Sequence, residues 1–324
     1  MAINMKGAVL RILAYLLCAV MLIGVGVGVG GSAHDVKSPA DCKLNFAVLS
    51  DSHIEGNNYT RYKVFARCLQ DVNKNQSGND AVVFLGDNTM NGNSTESMFF
   101  HGTVAQILKG QKVVPVLGNH DIGNGEGDYE ALQNRWYAYT NAFFDKKLTT
   151  PYYCDVIDGF YFIVLGTEEH TSNSMTLSDA QLTWLRGVLE EAAHSGKPTF
   201  VFSHHPERAS YRANPDYPYS LTDILTEYAD THDLFYFSGH THRTLTSSSI
   251  STYYNFPETS LPCLTRLTGE KDNVIPDDTG CGVEVEVYEN QVVIRGRSFY
   301  FGEWATDGNG VIEKTFTLKN TVIG

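Results

Sequence analysis

No Cys-x-x-Cys pair occurs in this 324-residue chain, which speaks against a closed thiolate zinc site. Cations are scarce as well: 24 Lys and Arg stand against 37 Asp and Glu, for a formal net charge of -13, and they form no cluster. Nucleic-acid surfaces need grouped Lys and Arg to hold phosphate backbones, so the composition argues against one. An acidic protein can still act on anions where a bound metal inverts the local field. Beyond residue 33 there is no linker, internal repeat or low-complexity tract, and 42% hydrophobic content suffices for a sizeable core. Residues 34–324 are therefore expected to fold as one domain with two sheets.

What is present at the N-terminus is a separate unit. Lys6 and Arg11 precede an apolar stretch from Ile12 to Val29, and the small residues Gly31, Ser32 and Ala33 follow it. That is the order of a secretory signal cleaved after Ala33, and the stretch is also long enough for an uncleaved membrane anchor. The expected location is secreted or extracytoplasmic, with membrane contact only through residues 1–33. Five cysteines remain after that unit, Cys42, Cys68, Cys154, Cys263 and Cys281, an odd number that cannot all pair within the chain. Cys263 and Cys281 flank a polar loop, and a disulfide closing it would contribute about 3 kcal/mol in the chain-entropy view. Cys68, on an expected helix face, reads as a buried free thiol.

The stretch that organises the chain is Leu234 to His242, an apolar run that breaks at Gly239 into His240, Thr241 and His242. The run reads as a buried strand, and imidazoles two apart in extended backbone share a side, within reach of one metal or two adjacent ones. Four other apolar runs end in the same way. Leu44 to Leu49 leads to Asp51 and His53, Ala81 to Leu85 to Asp87 and Asn88, Val113 to Leu117 to Asn119, His120 and Asp121, and Thr199 to Phe202 to His204 and His205. In layered α/β proteins ligands bind in the crevice beyond such strand ends, so one convergent polar site explains all five.

Between these runs the spacing predicts helices over 59–73, 97–108 and 129–144, then a hairpin of 152–157 and 160–165 turning at Asp158 and Gly159. Ser178 with Gln181 has the pattern of a capping box for a helix bearing Leu182, Leu185, Val188 and Leu189. Another short helix is expected over 221–229. The strand–helix rhythm implies a largely parallel buried sheet. Near the C-terminus Val283, Val285 and Val287 alternate with Glu284 and Glu286, the pattern of a half-buried strand, and further strands are expected at 292–294 and 314–318.

Taken together, Asp-x-His at 51–53, Gly-Asp-Asn at 86–88, Gly-Asn-His-Asp at 118–121, His-His-Pro at 204–206 and Gly-His-x-His at 239–242 resemble the calcineurin-like metallophosphoesterase superfamily. The likeness spans roughly residues 44 to 242, and the segments around Gln181 and Trp184 and around Gly296, Arg297 and Phe299 look like its secreted bacterial members. The fold this resemblance implies is α/β, a two-sheet β-sandwich flanked by helices in four layers. The implied site is a two-metal centre in which Asp51, His53 and His242 hold one ion, Asn119, His204 and His240 the other, and Asp87 bridges both. Such a pair shares a water, lowers its pKa and clamps a phosphoryl oxygen, and the bridging hydroxide attacks phosphorus.

Imidazole and oxygen donors together suit Mn, Fe, Co, Ni or Zn. His120 is assigned as general acid for the leaving group, oriented by Asp121, with simple phosphate contact as its alternative role. Purple acid phosphatases carry a Tyr three residues after the bridging Asp, and protein Ser/Thr phosphatases an Asp; here Met90 stands there. The expected activity is therefore hydrolysis of small phosphomonoesters or phosphodiesters, with specificity expected in the loops 122–128 and 206–220. The alternatives are a nuclease, a cyclic-nucleotide phosphodiesterase or a non-catalytic metal-binding surface protein.

Overall fold

A computed structural model describes residues 11–19, 41–75, 79–170, 172–268, 274–320 and 322. The cleavage point expected after Ala33 lies outside them. Helix α1, described over residues 11–19, lays Ala14 and Cys18 in full burial and leaves Leu13 and Leu16 exposed. Among the described residues no helix is long and apolar enough to cross a membrane.

The first half of the chain alternates as the apolar runs require: β1 (Leu44–Leu49), α2 (Tyr59–Asn75), β2 (Ala81–Phe84), α3 (Ser94–Ile107), β3 (Lys112–Pro115) and α4 (Tyr129–Phe144). The hairpin β4 (Tyr153–Ile157) and β5 (Phe160–Val164) follows, then β6 (Met175–Leu177), α5 (Asp179–Ala193), β7 (Thr199–Phe202), β8 (Ser210–Arg212), α6 (Leu221–Ala229) and β9 (Leu234–Ser238). Short β10 (Ile250–Ser251) and β11 (Glu258–Ser260) precede the long pair β12 (Cys281–Val287) and β13 (Gln291–Ser298), which β14 (Glu303–Trp304) extends.

Two mixed sheets result. One runs β14-β13-β12-β1-β2-β3 and the other β10-β11-β9-β7-β5-β4. β1, β2 and β3 are parallel, as are β5, β7 and β9, because helices return the chain across each sheet, and β11 adds parallel to β9 after a connection that carries β10 and no α-helix. The sheets pack face to face on an aromatic centre. Phe46 of β1 meets Phe162 and Phe200 edge-on, each 4.9 Å between centroids, with Phe202 and Phe237 just beyond. On the outer faces, Phe65 and Leu69 of α2 with Phe100 and Val104 of α3 cover the first sheet, and Leu182 and Leu185 of α5 with Ile224 and Leu225 of α6 cover the second. This is the four-layer α/β sandwich expected.

Three local expectations change. β12 is not half-buried: Glu284 is 4% exposed, since β12 lies between β1 and β13 and its outer face is roofed. Its carboxylate lies 3.4 Å from Arg297 Nε, and Arg297 in turn makes a two-pronged bond to Asp71 of α2 at 2.6 and 3.1 Å, so the charge is paired where it is buried. Ser178 caps α5 by accepting from the Gln181 backbone N–H, but the Gln181 side chain bridges Gly166 and Glu168 instead of reaching back; Glu168 takes the Ser178 N–H. A complete capping box stands at Ser220 and Asp223, heading α6. Finally, Cys263 and Cys281 are both free and buried, while Cys68 is the buried free thiol anticipated. Cys263 Sγ points at the Asp51 carbonyl, 3.2 Å away, whereas Cys281 opens a sheet strand, paired with Ser298.

The helical cover carries a pH dependence. His101 of α3 is 2% exposed, with Nδ1 bonded to the Ser97 carbonyl and its ring stacked on Phe144. Burial drops its pKa to about 4 from 6.5. Below pH 6.5 the unfolded chain takes up a proton that the folded one refuses, so stability falls as pH drops towards 4 and is level above 6.5. The expected loss reaches about 3 kcal/mol. Urea unfolding across this range should show a shallower slope for His101→Phe; an unchanged slope would remove His101 as its source.

Candidate metal centre

The five strand ends do converge. Each belongs to a mostly apolar strand that then turns, and the turns after β1, β2 and β9 are strained. Asp51, His53, Asp87, His240 and His242 have φ of 54, 41, 48, 65 and 51°, in the left-handed region that side chains other than glycine seldom adopt. Such strain costs on the order of 1–3 kcal/mol per residue and persists where surrounding structure over-determines it. Gly239 supplies part of that surround: a Cβ there would overlap the Ser50 hydroxyl and lie 2.6 Å from Asp51 Oδ2. The two imidazoles at 240 and 242 are therefore not in extended backbone, and their rings part toward different neighbours.

The donors fall into two groups that share Asp87. In the first, His242 Nε2 lies 2.9 Å from Asp51 Oδ1 and 3.0 Å from His53 Nε2, and His53 Nε2 lies 3.8 Å from Asp87 Oδ2. In the second, His204 Nε2 lies 3.2 Å from the same Asp87 oxygen and 3.3 Å from His240 Nδ1, which is 3.1 Å from Asn119 Oδ1. Three of these side chains are held by their far atoms. His204 Nδ1 bonds the Leu85 carbonyl at 2.8 Å, Asn119 Nδ2 donates to Asn124 at 2.8 Å, and Asp87 Oδ1 accepts the His120 N–H at 2.8 Å. Outer-shell bonds of this kind fix which atom each ligand presents.

With Nδ1 occupied, His204 Nε2 turns a lone pair toward a carboxylate oxygen, and two electron-rich atoms so close need a proton or a cation between them. The electrostatics say the same. Against the cost of burial, Asp87 and Asp51 push His204 up to about 9; against burial again, His204 and His53 hold Asp87 down at about 2. Asp51 is likewise held well below the carboxylate range, opposed by burial, through its bonds to His242 and His53. His240, by contrast, falls to about 4 through burial and the neighbouring His204. A cation placed among these donors removes the conflict, and the donor set fits a pair of transition-metal ions.

His120 stands beside this cluster, its ring edge-on to His53 at 4.8 Å. Asp121 does not orient it. Both Asp121 oxygens are consumed by the turn itself, through the Thr89 N–H and hydroxyl, the Gly118 N–H and the Asn88 amide; burial and Asp87 push its pKa up to about 6. His120 Nδ1 bonds instead to the Met90 carbonyl at 2.7 Å. Met90, whose side chain offers no hydrogen bond, thus orients the ring through its backbone; Nδ1 carries the hydrogen of that bond, and Nε2 is the nitrogen left to take up and give a proton. His205 is 1% exposed and packs 4.4 Å from the His240 ring.

The opening over the first group is a cavity of about 360 Å³ that His53, His120 and His242 share with Arg61 and Arg266. No residue of the loops 122–128 or 206–220 lines it. Part of the second loop pairs elsewhere, as β8 against β6. Neither arginine was anticipated. Arg61 is in the first turn of α2 and Arg266 follows β11 in Leu-Pro-Cys-Leu-Thr-Arg, a sixth strand end whose lack of Asp, Asn or His hid it.

A fold of two such sheets with donors at the strand ends defines a metallophosphoesterase-type protein, and the comparison with known families agrees. The model of the family described as calcineurin-like phosphoesterase matches residues 44–244. The chain belongs to that family. A curated relative, a probable glycerophosphodiester phosphodiesterase of Arcobacter nitrofigilis, is 27% identical over 167 residues, 49% of this chain and 55% of that protein. The chain thus spans about half the length of the relative it matches. Among solved structures, a purple acid phosphatase from yellow lupin seeds superposes with a TM-score of 0.55 at 12% identity, over 85% of this chain and 53% of that one. GAP50, the anchor in the inner membrane complex of Plasmodium, does so with 0.52 at 16% identity, over 86% and 89%. At these identities the structures speak for the fold alone.

Proposed function

We propose that the protein is an exported phosphoesterase with a two-metal centre, hydrolysing phosphoesters of small alcohols, diesters foremost. The observation that carries this reading is Asp87 Oδ2, which faces His204 of one donor group and His53 of the other. In this assignment Asp51, His53 and His242 hold one ion, Asn119, His204 and His240 the second, and Asp87 both. Bound metals of the Mn, Fe, Co, Ni or Zn type would supply an acidified water and neutralise phosphoryl charge. The chain's own residues do the rest. His120, held by Met90, protonates the departing oxygen, and the cavity of about 360 Å³ admits a small substrate. The preference for diesters follows the curated relative. Export follows Lys6, Arg11 and the apolar stretch to Val29, and the mass of the N-terminal peptide of protein recovered from its host tests it.

The central test is metal removal. Dialysis against a chelator is expected to abolish hydrolysis of bis-para-nitrophenyl and para-nitrophenyl phosphate, and one or more of the five metals to restore it with two ions bound per chain. Turnover by protein shown to be metal-free would overturn the reading.

A further inference from the structure

The candidate metal ligands His53 and His242, with His120, account for part of the cavity lining. The rest is Arg61 and Arg266 with the apolar Met90, Cys263 and Leu267, and among the described residues that line it none is Asp, Glu or Lys. In a chain of net charge -13, two guanidiniums with no carboxylate among the described lining residues are a local concentration of positive charge. Both are positioned. Arg61 is 8% exposed, with Nε 3.9 Å from Glu55. Arg266 Nη1 is tethered by Asp278 Oδ2 at 2.7 Å and Thr244 Oγ1 at 2.8 Å. These bonds use a single nitrogen of a fork with five N–H donors, so the guanidinium is steadied while donors remain for an oxyanion.

We propose that Arg61 and Arg266 form a subsite for a second anionic group, a carboxylate or phosphate borne by the alcohol that leaves. The argument rests on the phosphoesterase reading above and adds the substrate class to it. The cavity lies on the side of His120, where the leaving group departs, and its two arginines reach it from α2 and from the segment after β11. A substrate whose alcohol is anionic would be held at both ends, at the scissile phosphoryl and at the guanidiniums. An uncharged alcohol would be held at one.

The test compares phenyl with meta-carboxyphenyl esters, as monoesters and as methyl diesters, on the full metal-reconstituted chain. The wild type is expected to favour the carboxylated ester by at least about tenfold in kcat/KM. Arg61→Met and Arg266→Met should each collapse that ratio, with Arg266→Lys keeping part of it. Equal rates for the two wild-type substrates would overturn the proposal without requiring any variant to fold. So would variants that lose both esters in proportion, since the arginines would then serve the scissile phosphoryl or the fold. If neither ester is turned over with any of the five metals, it is the phosphoesterase reading itself that has failed.

Discussion

Asp87→Asn is expected to lower kcat/KM on the order of a thousandfold or more, about 4 kcal/mol in barrier, and to bring the bound metal from two ions to one or none. The amide keeps the size of the carboxylate and can still accept the His120 N–H through one oxygen. What it loses is the negative Oδ2 that lies 3.2 Å from His204 and 3.8 Å from His53. No substitute is at hand: Asp51, the other carboxylate of the cluster, turns Oδ1 to His242 and Oδ2 to the His240 N–H. Metal analysis beside steady-state kinetics separates the two effects. Wild-type rates in the variant would remove Asp87 from the mechanism.

His120→Asn is expected to act differently, lowering kcat by about a hundredfold or more for alkyl phosphoesters while sparing para-nitrophenyl esters in large part. An alkoxide leaves badly without a proton, and nitrophenolate leaves well without one. The structure supports the role through Met90, whose carbonyl accepts from Nδ1 at 2.7 Å and so reserves Nε2 for the substrate. The readout is the dependence of kcat on leaving-group acidity, which should steepen in the variant. A loss equal across all leaving groups would assign His120 to phosphate contact instead. Because Asp121 is engaged by Thr89, Gly118 and Asn88, its substitution should disturb folding of the turn more than proton transfer.

Much of the site was legible because strand ends are local. A buried strand shows as an apolar run, and the residues that follow it, Asp51, Asp87, Asn119, His204 and His240, can be read off directly. Helix α4 and helix α6 fall where the spacing put them, at Tyr129–Phe144 and Leu221–Ala229. Where the reading failed, a partner distant in sequence had decided the matter. Glu284 looked solvent-facing until Arg297 and α2 covered it, and Cys263 looked pairable until the Asp51 carbonyl claimed its thiol. Asp121 was adjacent to His120 in sequence yet turned away from it.

From the amino-acid order alone came the donor types, their succession along the chain and the crevice they should share, because alternation of apolar runs with polar ends is a one-dimensional signal. Only tertiary structure determined that one oxygen of Asp87 faces both donor groups, that a backbone carbonyl at Met90 steadies His120, and that Arg61 and Arg266 face the same cavity. These are distances between segments up to about two hundred residues apart, set by how two sheets and their helices pack, and packing leaves no period in the sequence to read.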